Sequence, residues 1–134
     1  MDKLVFIIDD DQVYLNFMVN HFRQMKGYVV EIYPGGDEAL KHLESKKPFM
    51  IILDHHLEDS KKDGIYFLKK IKKMKSTVPA IYITSSNSDE VRKEAIKSGA
   101  KSVIVKSESF LVQLRTAIDE INTPKRGLLS KFFK

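Results

Sequence analysis

The chain has 134 residues, 43% of them apolar and 31% charged, a balance that suits one soluble domain with a single core. It has no cysteine, which excludes disulfides, thiol chemistry and cysteine-ligated metals and is in keeping with a reducing compartment. The net charge of +5 is unevenly held: residues 123–134 carry Lys125, Arg126, Lys131 and Lys134 without an acid, which leaves a body close to neutral and without the basic face of a nucleic-acid binder. No apolar run approaches the roughly 18 residues of a membrane span, and Met1-Asp2-Lys3 opens directly into a strand pattern instead of a signal peptide.

Leu4 to Ile8 is the first apolar run and ends at Asp9-Asp10-Asp11. The period then becomes helical. Val13, Phe17, His21 and Met25 lie four apart, with Met18 and Phe22 beside them; Asp11 is the expected N-cap and Gly27 the stop. Tyr28 to Tyr33 is a second strand, and after Pro34-Gly35-Gly36-Asp37 a short helix is striped by Ala39, Leu40 and Leu43. Phe49 to Leu53 is a third strand, a continuous apolar run of the kind buried on both faces, and it delivers Asp54 at its carboxyl end. A polar loop, His55 to Asp63, leads at Gly64 into a helix with Ile65, Leu68 and Ile71 inside and lysines outside. Pro79 to Ile83 is a fourth strand, ending at Thr84-Ser85-Ser86. Ser88-Asp89-Glu90 opens a capped helix with Val91, Ala95 and Ile96 on its inner face and Gly99 at its end. Ser102 to Val105 is a fifth strand, ending at Lys106, and Phe110, Leu111, Leu114, Ala117, Ile118 and Ile121 stripe a last helix.

Five strands alternating with five helices through short connections predict a doubly wound α/β domain, a parallel sheet covered by helices on both faces. The domain is expected over residues 1–122, with a basic amphipathic tail at 123–134. In that tail Leu128, Leu129, Phe132 and Phe133 fall on one face of a short helix. So short a helix does not hold alone in water, so the tail is either a frayed end or a segment ordered by a partner groove or an anionic surface.

In such a sheet the carboxyl ends of the strands share one rim, where ligands bind. Asp9 and Asp10, Asp54, Thr84 and Lys106 all fall there. Two carboxylates about 4 Å apart repel by roughly 1 kcal/mol in water and about 4 kcal/mol at an effective dielectric near 20. A cation relieves this, and Mg²⁺ suits oxygen ligands completed by phosphate and water. Lys106 offers a compact positive charge, Thr84 a hydroxyl donor and Ser85 a backbone N–H with a small side chain at the mouth. An aspartate can act as nucleophile in phosphoryl transfer, which otherwise needs positioning and charge neutralisation.

The set Asp9-Asp10, Asp54, Thr84-Ser85 and Lys106 closely resembles the receiver domain of two-component response regulators, over residues 3 to about 121. The resemblance implies a flavodoxin-like sheet in the order 2-1-3-4-5. It implies that Asp54 accepts phosphate from a sensor histidine kinase or a histidine phosphotransfer protein. Mg²⁺ would be held by Asp9, Asp10, Asp54 and the backbone carbonyl of His56, while Thr84, Ser85 and Lys106 would meet the phosphate. A stand-alone cytoplasmic domain of bacterial type is implied, monomeric or weakly dimeric. Its only chemistry would be self-phosphorylation and autodephosphorylation, and it would act on a downstream protein with no direct nucleic-acid contact.

The sequence departs from the family pattern at four places. Glu58 stands where a proline is usual, and Gly64, ten residues after Asp54, comes later than the usual glycine, so the loop is longer. Ser107 replaces the proline that follows the lysine. A non-prolyl cis bond costs about 3–4 kcal/mol, so a trans Lys106–Ser107 bond is expected, with a possible displacement of the lysine head group. Val103 replaces the switch aromatic three residues before the lysine.

Two other readings compete. Asp9-Asp10-Asp11-Gln12-Val13 after an apolar strand also resembles the first motif of haloacid-dehalogenase phosphatases, with Asp9 as nucleophile and Asp11 as acid/base. That reading finds no acidic pair after Lys106 and gives Asp54 no role. A non-phosphorylated binding module of the same fold is the other. His55 and His56 are adjacent on an extended segment and point to opposite sides, which argues against a shared transition metal. Lys69, Lys70, Lys72 and Lys73 suit a solvated helix face.

Overall fold

The computed structural model describes residues 2–57 and 62–123. The elements alternate: β1 (Lys3–Ile8), α1 (Gln12–Gln24), β2 (Tyr28–Tyr33), α2 (Gly36–Leu43), β3 (Met50–Asp54), α3 (Gly64–Met74), β4 (Ala80–Thr84), α4 (Asp89–Lys97), β5 (Ser102–Val105) and α5 (Phe110–Asn122). All strand pairs are parallel and the sheet order is β2-β1-β3-β4-β5, the flavodoxin-like order expected from the resemblance.

The sheet separates two cores because alternate residues of a strand point to opposite faces. Phe6 and Ile8, Ile51 and Leu53, and Tyr82 face α2, α3 and α4, where Leu43, Phe67, Leu68, Ile71 and Ala95 meet them. Val5 and Ile7, Ile52, Ile81 and Ile83 face α1 and α5, and pack against Leu15, Met18, Phe22, Leu114 and Ile118. Strands β3 and β4 are buried at every position, as central strands covered on both sides must be.

The inner faces of three helices differ from the sequence reading. In α1 the buried residues are Leu15, Met18 and Phe22, whereas Val13 is 59% and Phe17 44% exposed. Residues spaced strictly by four advance about 40° around a helix at each step, so the row from Val13 to Met25 winds off the sheet. Leu15, Met18 and Phe22, at i, i+3 and i+7, stay on one stripe. Ile96 of α4 and Leu111 of α5 are exposed as well, while Ala95 and Leu114 carry the packing.

Helix α4 stops where expected, just before Gly99, whose φ of 115° is in the left-handed region, whereas α1 ends earlier than expected, at Gln24 with Met25 extended, and Gly27, with φ of 89°, takes the turn into β2. Two strand boundaries move by one residue and matter for the site. Asp54 is the last residue of β3 and Thr84 the last of β4, so both are set by ladder pairing and not by loops. Of the expected tail only Thr123 falls within the described residues; 124–134 lie outside them, as does Glu58.

Candidate functional site

Four strand ends meet at the carboxyl rim. Asp9 and Asp10 follow β1, whose last residue Ile8 pairs with Leu53 next to Asp54; Asp54 pairs with Ile83, and Thr84 with Val105 next to Lys106. Register alone therefore assembles the five side chains predicted from sequence. Asp9, Asp10 and Asp54 each bring a carboxylate oxygen within 4.8 Å of the others.

Their burial differs, and so does their electrostatics. Asp9, Asp54 and Thr84 are the buried polar residues among those described, at 0%, 3% and 1% exposure. Burial, and next the charge of Asp54, push the Asp9 carboxyl up to about 7. Burial also raises Asp54, against the opposing pull of Lys106 and a hydrogen bond from the His56 backbone N–H. One oxygen of Asp9 accepts from the Asp11 N–H at 2.9 Å, while its Oδ2 is buried without a hydrogen-bond partner. An orphaned buried carboxylate oxygen beside two further carboxylates is costly without a cation and fits a hard divalent ion.

Lys106 is the positive member. Its Nζ lies 3.3 Å from Asp54 Oδ2 and 3.2 Å from Asp11 Oδ2, and 4.8 Å from the centre of the Tyr14 ring. Burial lowers its pKa, but the three acids outweigh this and hold it above the ordinary lysine value. The described residues contain no cis peptide bond, so Lys106–Ser107 is trans as expected. The expected displacement of the head group does not follow, since the ammonium still reaches Asp54. Asp11 is the N-cap of α1 as predicted, accepting from Val13 N at 3.1 Å, and its second oxygen holds Lys106.

Thr84 is turned toward its own loop, with Oγ1 accepting from Ser86 N at 3.1 Å. Its carbonyl accepts from Lys106 N at 2.9 Å, which ties the ends of β4 and β5 together. Ser85 is exposed at the mouth, as expected. His55 and His56 diverge as anticipated: His56 is exposed, and the His55 ring turns inward to bond the hydroxyl of the fully buried Tyr82. Val103 is buried in the core under α4, so no aromatic stands at that position.

Sequence reasoning missed two contributors, Tyr82 and Tyr14. Tyr82 reads in sequence as one residue of an apolar strand, yet its hydroxyl holds the residue after Asp54. Tyr14 backs the Lys106 ammonium; a polar aromatic in the first turn of α1 was the available signal. Gly64 is required by contact: a Cβ there would stand 2.6 Å from the Asp54 carbonyl and 2.6 Å from the Tyr82 hydroxyl. Its N–H bonds the His55 carbonyl at 2.8 Å, closing the lengthened loop back on β3.

The response regulator receiver domain model matches residues 5–119. The chain belongs to this family. Among curated relatives, the transcriptional regulatory protein RprY of Bacteroides fragilis (strain YCH46) is 28% identical over 130 residues, covering 97% of this chain and 54% of that protein. The chain spans about a quarter to about half of the length of the first curated relatives it matches. Among solved structures, the receiver domain of the Francisella response regulator 1452 superposes with a TM-score of 0.74 at 25% identity, covering 99% of this chain and all of that one. The receiver domain of the sensor histidine kinase PA1611 from Pseudomonas aeruginosa PAO1, described with a magnesium ion in its active-site cleft, gives 0.76 at 19% identity, covering 92% and 100%. The receiver domain described here thus shares fold and strand order with its family. Among its described residues no helix is long and apolar enough to cross a membrane.

Proposed function

We propose that this receiver domain accepts a phosphoryl group on Asp54 from the phosphohistidine of a sensor kinase or phosphotransfer protein, and signals the change through protein contacts. The observation that carries the reading is the Lys106–Asp54 pair set beside the orphaned buried oxygen of Asp9. An Asp54 oxygen attacks phosphorus, the bond from phosphorus to the donor nitrogen breaks, and the imidazole leaves. Lys106 stays with the phosphoryl oxygens, the Thr84 hydroxyl swings from Ser86 to one of them, and the Ser85 N–H meets another.

Asp9, Asp10, Asp54 and the His56 backbone carbonyl would hold Mg²⁺, which neutralises the charge gathering on the phosphoryl oxygens when it is bound. The magnesium described for the PA1611 receiver domain supports this assignment by analogy. Burial of Asp54 keeps stray water from the acyl phosphate.

The phosphatase reading loses its acid/base, because Asp11 is committed to capping α1 and pairing Lys106. The experiment is chemical: acetyl phosphate with Mg²⁺ gives an acyl phosphate that hydroxylamine cleaves. A hydroxylamine-resistant adduct would refute carboxylate phosphorylation. Partner binding unchanged in Asp54→Asn, with no phosphate taken up by the wild type, would favour the binding module.

A further inference from the structure

Strand β5 is four residues long and lies at an edge of the sheet, last in the order β2-β1-β3-β4-β5. An edge strand points every second backbone N–H and carbonyl away from the ladder. Lys106 N–H bonds the Thr84 carbonyl, so the preceding Val105 turns its own N–H and carbonyl off the edge. A short strand end of this kind opens easily unless something holds it. Lys106 follows it directly, and its ammonium has to stay on Asp54, 3.3 Å away.

The Gln113 side chain, near the start of α5, supplies what a neighbouring strand would. Its Oε1 accepts from Val105 N–H at 3.0 Å, and its Nε2 donates to the Val105 carbonyl at 3.3 Å. The same nitrogen reaches Ser109 Oγ at 2.9 Å and Ser107 Oγ at 3.3 Å. Its two hydrogens are thus shared among three acceptors. Ser107 Oγ also accepts from Ser109 N–H at 3.3 Å and lies 3.1 Å from Ser109 Oγ. One carboxamide therefore binds the residue before Lys106 and the residue after it.

Two details set this apart from an ordinary glutamine on a helix surface. Ser109 is the N-cap of α5, where a serine usually bonds an N–H of the first turn, yet its side chain makes no such bond. Its oxygen goes to Gln113 instead. Ser107 stands where the family usually has proline, and proline has no hydroxyl to anchor the amide.

We infer that Gln113, anchored by Ser107 and Ser109, is a positioning residue for Lys106, given Asp54 as the phosphoacceptor. Gln113 touches no reacting atom. It holds the last residue of β5 in register and so fixes where the lysine starts. A misplacement of about 1 Å in such a group costs up to about a hundredfold in rate.

The test pairs amide hydrogen exchange with phosphate uptake. In Gln113→Ala the Val105 and Lys106 N–H groups should exchange about tenfold faster than in wild type, while those of β3 keep their rates. Uptake from acetyl phosphate with Mg²⁺ should slow about three- to tenfold. Gln113→Glu keeps an acceptor for Val105 N–H and loses both amide hydrogens, so it should fall between. In a Lys106→Met background Gln113→Ala should slow uptake no further, because its effect runs through the lysine; a merely structural loss would slow both backgrounds alike. Thr116→Ala, exposed farther along α5, should match wild type in both measurements. Val105 exchange unchanged in Gln113→Ala, uptake unchanged in it, or equal slowing with and without Lys106 would each overturn the inference. A wild type that gains no phosphate would overturn Asp54 as phosphoacceptor and the role of Gln113 with it, even where exchange shows the clasp to be formed.

Discussion

Lys106 Nζ rests 3.3 Å from Asp54 Oδ2 although Ser107, joined by a trans bond, follows it. The pairing survives because register, not the following residue, sets the lysine: Lys106 N bonds the Thr84 carbonyl and Asp11 holds the second side of the ammonium. Replacing Lys106 with methionine keeps the packing against Tyr14 and removes the charge. Phosphate uptake from acetyl phosphate should slow by about tenfold or more, read as the initial rate of mass gain.

Asp11 supports the site from the helix. Asp11→Ala removes the N-cap of α1 and one partner of Lys106. Loss of the cap should cost about 1 kcal/mol of stability. The ion pair adds little, since Asp11 is partly solvated. Urea unfolding should show the loss, with a smaller effect in Asp11→Asn, which keeps a capping oxygen.

Gly64 is where the long loop returns. Gly64→Ala would press a methyl group on the Asp54 carbonyl and the Tyr82 hydroxyl. The strain should cost about 1–3 kcal/mol and slow phosphorylation as well, because the displaced backbone carries Asp54. A variant as stable as wild type would show that the loop swings clear.

The raised Asp9 carboxyl makes stability depend on pH with a definite sign. Its folded pKa of about 7 lies above the ordinary 3.8, so between these values the folded state binds more protons than the unfolded one. Metal-free protein should therefore lose stability as pH rises from about 4 to about 7. Mg²⁺ competes with the same proton, so its stabilisation should grow over that window. Thermal melts at several pH values, with and without Mg²⁺, read both trends. Asp9→Asn should flatten them.

Much of this was legible in the residues. Apolar runs ending in acids, a hydroxyl or a lysine gave five strands whose ends must share a rim, and parallel register did the rest. What was not legible arises from contacts across distant segments. A spacing of four does not say which way α1 rolls on the sheet, so Leu15 replaced Val13 and Phe17 inside. Nothing near Tyr82 in sequence announces that its hydroxyl meets His55, and the cap position of Asp11, which was legible, does not announce that its second oxygen holds Lys106.

Intact-mass measurement after incubation with acetyl phosphate tests the central claim most directly. Wild type with Mg²⁺ should gain one phosphate, wild type without divalent ions little or none, and Asp54→Asn none. No gain in wild type with Mg²⁺, or a gain that persists in Asp54→Asn, would contradict phosphorylation at Asp54.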